Sequence, residues 1–491
     1  MLNKQTHLQI LSQYGLDAAG LLLQDKSQLK NLSVVRHLPN RRLVCRGEWA
    51  DINVYVKLFF GKDYRRYAQR DEMGVQYLAE ASLLTPSLLY AGELPSGKGY
   101  VLIFQEIANA DNAETLWVQL NKNARLKLAK QLVKILAQHH QANLLQTDLH
   151  LKNFLVKDEN IYTLDGDGMR RYANLSQQQV LKNLSILFSK FDVLDMEVWF
   201  TELLQTYSEA RGLQMLPDAA LITAMTNAQR QKTASDYADK KVFRQCSDVN
   251  ITASQRLFIA ASSDADMNIP KDMAELEALI QPHNLLKNGN TCTVALAEID
   301  AKKIVVKRYN IKSFWHGLSR AFRPSRAAAS WANAHRLTIL DIATAKPIAL
   351  YEQRTLGLRR KAYFLADYID TPNVAEYFSS ADNKAERAEA VKNIVTLFYK
   401  LYLLQISHGD LKATNIKMQG TQPVLIDLDS MRQHHKSNIG AHMRDLQRFM
   451  QNWQNDNALY NAFVKTFKVV YPDVSMLIKA DIAANKEIIN K

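Results

Sequence analysis

A long-range repeat of polar residues constrains this chain more than any other feature. The segment TDLHLKNFLVKDENIYTLDGDGMRR (147–171) and the segment GDLKATNIKMQGTQPVLIDLDSMRQ (409–433) share, among other matches, three polar side chains at identical intervals. Asp148, Asn153 and Asp165 in the first correspond to Asp410, Asn415 and Asp427 in the second, with apolar runs of β type flanking each pair. Internal repeats are read before local structure because they decide domain count. The flanks repeat as well. A helical apolar stripe precedes each copy, with Leu128, Leu132, Ile135 and Leu136 in one and Val391, Ile394, Val395, Phe398 and Tyr402 in the other. Further upstream, each half has a strand pattern ending in lysine, VYVK with Lys57 and IVVK with Lys307, then a helix and a proline-led strand. The pattern predicts an α+β fold occurring twice: residues 1–240, a junction over 241–275, and residues 276–491.

An aspartate, an asparagine five residues on, an aspartate after the next strand pair and a distant strand lysine form the phosphoryl-transfer set of protein kinases. The chemistry requires these residue types. Asp148 and Asp410 would accept the proton of an acceptor hydroxyl. Asn153 with Asp165, and Asn415 with Asp427, offer the oxygen ligands that magnesium prefers. Lys57 and Lys307 would neutralise nucleotide phosphates. Strand lysines usually face solvent and Asp after a strand is often a turn residue, but both ordinary readings would have to hold at once in both halves and in matching order. A glycine-rich phosphate loop is weakly marked, with only Gly47 in NRRLVCRGEW and Gly289 in LKNGNTCTVAL, and no Walker pattern occurs.

Composition narrows the remaining classes. The chain is 47% hydrophobic and 23% charged, which excludes wholesale disorder. Its three cysteines have no CxxC spacing, so neither a disulfide framework nor a zinc site is expected. No apolar run approaches the roughly 18 residues of a membrane span, and the N-terminal residues lack a secretory h-region; a cytoplasmic protein is expected. The net charge of +13 is concentrated late in the chain: within 302–336 there are nine basic residues and no acidic one. Such a run suits a nucleic acid, an anionic membrane or a phosphorylated substrate.

The segments SHGDLKATNIKM with VLIDLDSMR, and QTDLHLKNFLV with YTLDGDGMRR, resemble the bacterial lipopolysaccharide core kinases, as does KRYNIKSFWHGLSRAFRPSRAAASWANAHRL. The resemblance covers perhaps 85% of the chain and is closer in the C-terminal half. It implies two tandem protein-kinase-like bilobal domains, ATP and Mg2+ as cosubstrate and cofactor, and a Kdo or heptose hydroxyl of the lipopolysaccharide core, or of another anionic glycolipid, as acceptor. The basic segment is then expected near the acceptor at the inner face of the inner membrane, with Lys312, Arg320, Arg323 and Arg326 as contacts, and no nucleic acid is expected. The alternatives are a kinase of the same fold acting on another small molecule or a protein, and a wholly or partly non-catalytic scaffold.

The two halves depart from the kinase pattern differently. Glu72, fifteen residues after Lys57, is the expected helix partner of that lysine, whereas SRAAASWANAHRL offers no acid and leaves Glu352 as a remote candidate. The His408-Gly409 pair before Asp410 is Gln146-Thr147 in the first half, and Asp445 corresponds to Asn183. His139 and His140 end a helix, where a cation is favoured, and are expected to have no catalytic role.

Overall fold

The computed structural model describes residues 4–17, 20–265, 267–310, 324–355, 358–380 and 383–472. Lys312, Arg320 and Arg323 lie outside them. The chain divides into two compact units, Met1–Phe191 with Asp195–Thr226, and Asp192–Leu194 with Asn227–Lys491. Both mix helices and sheet in the α+β manner.

In the N-terminal unit, helix α1 (Lys4–Gln13) precedes strands β1 (Gly20–Leu22), β2 (Gln28–Leu38), β3 (Arg42–Trp49) and β4 (Ile52–Phe59). Helix α2 (Tyr64–Glu80) and strands β5 (Leu88–Glu93) and β6 (Tyr100–Gln105) complete an antiparallel sheet of order β1-β2-β3-β4-β6-β5. Alternation along β4 sends Val54, Val56 and Leu58 to one apolar layer with Leu43, Cys45 and Ile103. The intervening Lys57 therefore faces the other side, where Phe59, Leu102 and Phe104 pack with Ala68 and Val75 of α2. Next come β7 (Asp111–Asn112), α3 (Ala113–Gln119) and α4 (Lys122–Gln141), then β8 (Leu144–Gln146), β9 (Phe154–Lys157), β10 (Asn160–Thr163) and β11 (Met169–Arg171). Helices α5 (Gln177–Phe188), α6 (Val193–Arg211) and α7 (Ala219–Ser235) follow. Leu128, Leu132 and Leu136 of α4 form a buried core with Leu184, Trp199 and Leu203, while Ile135 is only partly buried.

The stretch 241–275, read from sequence as a junction, contains two strands of the C-terminal unit's sheet. These are β12 (Val249–Ala253) and β13 (Leu257–Ser262), followed by α8 (Met273–Ala278). Both strands alternate β-type residues that sequence periodicity alone left unassigned. Strands β14 (Leu285–Asn288), β15 (Cys292–Ile299) and β16 (Lys302–Tyr309) lead to helix α9 (Arg326–Ile339), then β17 (Pro347–Thr355) and β18 (Leu358–Asp367). The sheet order is β12-β13-β17-β18-β16-β15-β14, all pairs antiparallel. Ile304 and Val306 of β16 enter one core layer; Lys307 falls out of phase with them and faces the α9 side. The second layer comprises α10 (Val374–Ser380), α11 (Lys384–Leu403), β19 (Ile406–Ser407), β20 (Ile416–Gln419), β21 (Gln422–Leu425), β22 (Arg432–Gln433), α12 (Ile439–Met450) and α13 (Asn457–Val470). Its core joins Val391, Ile394, Val395 and Phe398 of α11 to Leu446, Phe449, Phe463 and Phe467. The expected stripe on α11 is thus the buried one, apart from Tyr402, which is only partly buried.

Candidate active site

In the C-terminal unit, β19 pairs with β22 and delivers the chain to His408, Gly409 and Asp410. A single 3-10 turn, Ala413–Asn415, then feeds β20, and the β20–β21 hairpin returns to Asp427. The Ile426 N–H donates to the Asn415 carbonyl at 3.0 Å, tying the two ends of the hairpin together. Asn415 donates its amide to the Asp410 main-chain oxygen at 2.9 Å and to its carboxylate at 3.1 Å, so its side-chain oxygen, not its amide nitrogen, is the atom that could serve as a ligand. Asp427 has a left-handed backbone with φ of 62°. That conformation costs about 1 kcal/mol or more for a non-glycine residue and turns the carboxylate toward Lys307.

Lys307 forms ion pairs with Asp427 and, at 3.4 Å, with Asp429, whose side chain is only 3% exposed. Burial works against the lysine charge, but Tyr309, Asp427 and Asp429 together outweigh it and hold its pKa above the ordinary lysine value. Burial likewise opposes ionisation of Asp427, and the Lys307 ammonium more than offsets this, so the net shift is downward. Lys307, Asn415 and Asp427 line one cleft of about 540 Å³ with Val294, Val305 and Phe364. Asp410 lies by this cleft: its carboxylate accepts from Arg448 at 2.6 Å and pairs with Lys412 at 3.2 Å. Asp445, buried on α12, accepts the backbone N–H groups of His408 at 2.6 Å and Gly409 at 3.0 Å. The His408 ring is fully buried against the Ile426 carbonyl at 3.0 Å, and burial lowers its pKa. Gly409 has φ of +79°, and a Cβ there would meet the Ser430 carbonyl oxygen at 2.7 Å, so no other residue fits the turn.

The N-terminal unit brings Lys57, Asn153 and Asp165 to a cleft of about 570 Å³ with Val44, Phe104 and Leu155. The same local bonds recur. The Asn153 amide donates to the Asp148 carbonyl at 2.8 Å, the Leu164 N–H donates to the Asn153 carbonyl at 2.8 Å, and Asp165 has φ of 65°. Lys57 is 2.7 Å from Asp71 and 3.1 Å from Asp165. Arg42 adds a second cation, 3.5 Å from Asp165. Burial opposes the Asp165 charge, but Lys57 and Arg42 outweigh it and hold the pKa at about 2. Asp148 is more open than Asp410, at 58% against 30% side-chain exposure, and its near neighbour is His150 at 3.3 Å.

Several expectations change. Glu72 is not the partner of Lys57: it accepts from Tyr100 at 3.2 Å, and the fully buried Asp71 takes its place. One helical residue is a rotation of 100°, which carries the neighbouring acid off the cleft face. The signal was present in the sequence, since Asp71 lies in register with Ala68, Val75 and Leu78, the buried stripe of α2. Glu352 does not approach Lys307 either. It accepts from Ser325 at 2.7 Å, and the Ser325 hydroxyl caps α9. Arg326, expected as a substrate or membrane contact, lines the cleft with its side chain 37% exposed, pairs with Asp429 at 2.8 Å and lies over the Tyr309 ring. Asp429 and Arg42 were missed: Asp429 repeats Asp167 two residues after the second aspartate, a spacing signal that the sequence carried, whereas Arg42 follows a hairpin turn and leaves no such signal.

His139 and His140 are not helix-end cations. Both are buried, and burial lowers their pKa values to about 3 and about 4, so each ring is neutral. His139 meets the Thr163 hydroxyl at 3.1 Å, and His140 bridges Tyr207 at 2.7 Å and Asn183 at 3.0 Å. Among the described residues no group of three or more His, Cys, Asp or Glu side chains could hold a metal, and no helix is long and apolar enough to cross a membrane. A magnesium ion shared with nucleotide phosphates needs only one or two protein carboxylates, which Asp427 with the Asn415 carbonyl satisfies. No curated protein matches the chain. Residues 281–471, which contain Lys307, Asp410, Asn415, Asp427 and Asp445, match the model of the lipopolysaccharide kinase (Kdo/WaaP) family.

Proposed function

We propose that the C-terminal unit transfers the γ-phosphoryl group of ATP to a Kdo or heptose hydroxyl of the lipopolysaccharide inner core. The observation that carries this reading is the coincidence of the matched family segment with a cleft that holds the phosphoryl-transfer set. The apolar walls Val294, Val305 and Phe364 suit an adenine ring. Lys307 would leave Asp427 to meet the phosphates, and Asn415 and Asp427 would hold Mg2+. When bound, that ion supplies neutralisation of phosphate charge in the loose transition state. Asp410 would accept the hydroxyl proton as the oxygen attacks phosphorus and the bond to ADP breaks. Its hydrogen bond from Asn415 fixes the orientation of the carboxylate. Arg448 and Lys412, beside Asp410, suit an acceptor that is itself anionic.

In the same reading the N-terminal unit is a second kinase-like domain, with Asp148, Asn153, Asp165 and Lys57 in the corresponding roles and Asp71 in place of Glu72. Its closed set of Lys57, Arg42, Asp71 and Asp165 also favours a second reading for this unit, a nucleotide-binding or scaffolding role without transfer. The protein would work at the cytoplasmic face of the inner membrane, with the basic segment around 302–336 in peripheral contact. The test is transfer of labelled phosphate from ATP to purified core oligosaccharide. Asp410→Ala should abolish transfer by the C-terminal site, Asp148→Ala should remove transfer by the N-terminal site if that site acts, and the double variant should transfer nothing. No transfer by the unaltered chain with Mg-ATP bound would refute the phosphotransferase reading.

A further inference from the structure

We infer that Asp429 is the positioning residue for Lys307, replacing from the loop a carboxylate that the N-terminal unit supplies from a helix. The inference deepens the phosphotransferase reading and rests on it. In the N-terminal unit, Arg70 on α2 pairs with Asp167, and the next residue, Asp71, binds the Lys57 ammonium at 2.7 and 3.0 Å. In the C-terminal unit, Arg326 on α9 pairs with Asp429, which corresponds to Asp167, and the next residue is the fully buried Ala327. Helix α9 contains no acidic residue at all. Its partner role has moved two residues along the loop from Asp427: Asp429, 3% exposed, takes Lys307 at 3.4 Å and Arg326 at 2.8 Å.

A carboxylate this buried is retained only with cationic partners, and Asp429 has two. Lys307 in turn has two carboxylates, of which Asp427 would be committed to the metal when nucleotide binds. Asp429 is the one left to aim the ammonium at the phosphates. In kinases that aim comes from the helix acid; here the sheet lysine and the acid are joined without the helix contributing a carboxylate. The swap between Asp71 and Asp429 therefore separates two ways of building the same lysine geometry within one chain.

The test uses the full chain in a Lys57→Met background, so that the N-terminal cleft adds no phosphate-dependent binding. Titration calorimetry compares Mg-ATP with adenosine, which lacks the phosphates. Loss of one charged contact corresponds to roughly tenfold weaker binding, so Asp429→Asn should weaken Mg-ATP about that much and leave adenosine unchanged. Asp429→Glu should retain Mg-ATP binding. Adding Ala327→Asp to Asp429→Asn should recover most of the loss, by restoring the arrangement of the N-terminal unit. Unchanged Mg-ATP binding in Asp429→Asn overturns the inference, and so does equal loss of adenosine, which marks a purely structural role. If the background protein binds Mg-ATP but transfers no phosphate, the phosphotransferase reading fails while the Asp429→Asn comparison still decides this one. Absence of any nucleotide binding would remove both.

Discussion

The Asp445 carboxylate accepts two backbone N–H groups, those of His408 and Gly409, whereas Asn183 donates its amide to the Gln146 carbonyl at 2.9 Å. The side chain at this helix position therefore follows what the adjacent loop presents, donors in one unit and an acceptor in the other. Burial raises the Asp445 pKa, and the two N–H donors pull against that rise. Replacing Asp445 with Asn sets an NH2 or a single weaker acceptor against two donors. A buried donor left unpaired costs about 1–3 kcal/mol, so Asp445→Asn should lower the melting temperature and cut phosphate transfer at least about tenfold. Asn183→Asp should destabilise as well, because it places a carboxylate against a carbonyl oxygen. Thermal melts of both variants check the claim, and neutrality of either exchange would refute it. At this scale the sequence was informative where spacing is rigid. Asp148, Asn153, Asp165 and their counterparts lie on one continuous loop and hairpin, so sequence separation maps directly onto space. A partner from another element was less legible, since Asp71 was one residue from the expected acid; Asp429 repeats Asp167 on the same loop, but its pairing with Arg326 depends on how closely α9 approaches that loop.

Helices α2 and α9 seat on the loop after the second aspartate by different means. In the N-terminal unit, a Cβ at Gly74 would meet the Gly166 carbonyl oxygen at 1.9 Å, and one at Gly166 would meet the Asp71 carbonyl oxygen at 2.1 Å. The two backbones touch, and this contact sets Asp71 against Lys57. In the C-terminal unit, Asn333 on α9 instead spans the gap, donating to the Leu428 and Met431 carbonyls at 2.9 Å each. Gly74→Ala gains about 1 kcal/mol of helix propensity. Overpacking against backbone that has no rotamer to change costs about 1–3 kcal/mol or more, and the steric term wins. A 1.9 Å approach puts the steric cost at the upper end of that range, so Gly74→Ala should destabilise the chain by about 2 kcal/mol on balance. It should also displace Asp71 from Lys57. Denaturant unfolding gives the first, and nucleotide affinity of the N-terminal cleft in a Lys307→Met background gives the second. Unchanged stability would show that α2 shifts freely, which the paired glycines argue against. From sequence, Gly74 reads only as a weak point in a helix; its packing role is set by an element about ninety residues away.

Over the whole molecule, both units bury neutral histidines. In the N-terminal unit these are His139 and His140; in the C-terminal unit His442, bonded to Tyr471 at 3.0 Å, and His335 are both lowered to about 4 by burial. Helical periodicity located the core around them but could not reveal their charge state, because an imidazole at a helix end suits either a solvated cation or a buried hydrogen-bonding ring. The difference has a measurable sign. Above pH of about 6.5 the rings are neutral in folded and unfolded chains alike, so they contribute no pH dependence. As pH falls below that value the unfolded chain takes up protons that the folded chain refuses until about pH 4, and stability declines. Each such group contributes a slope of about 1.4 kcal/mol per pH unit in that window. Asp165, held at about 2, loses its contribution only below the ordinary aspartate range, so it does not account for a decline above pH 4. Asp71 and Asp445, lifted by burial, act in the opposite sense and temper the slope. Equilibrium unfolding of the full chain should therefore weaken steadily from pH 6.5 to 4. His140→Gln, which keeps a hydrogen-bonding side chain without a titrating ring, should reduce the slope by about one proton. An unaltered slope in His140→Gln would mean that the ring is protonated in the folded chain, and would restore the helix-end cation that its burial argues against.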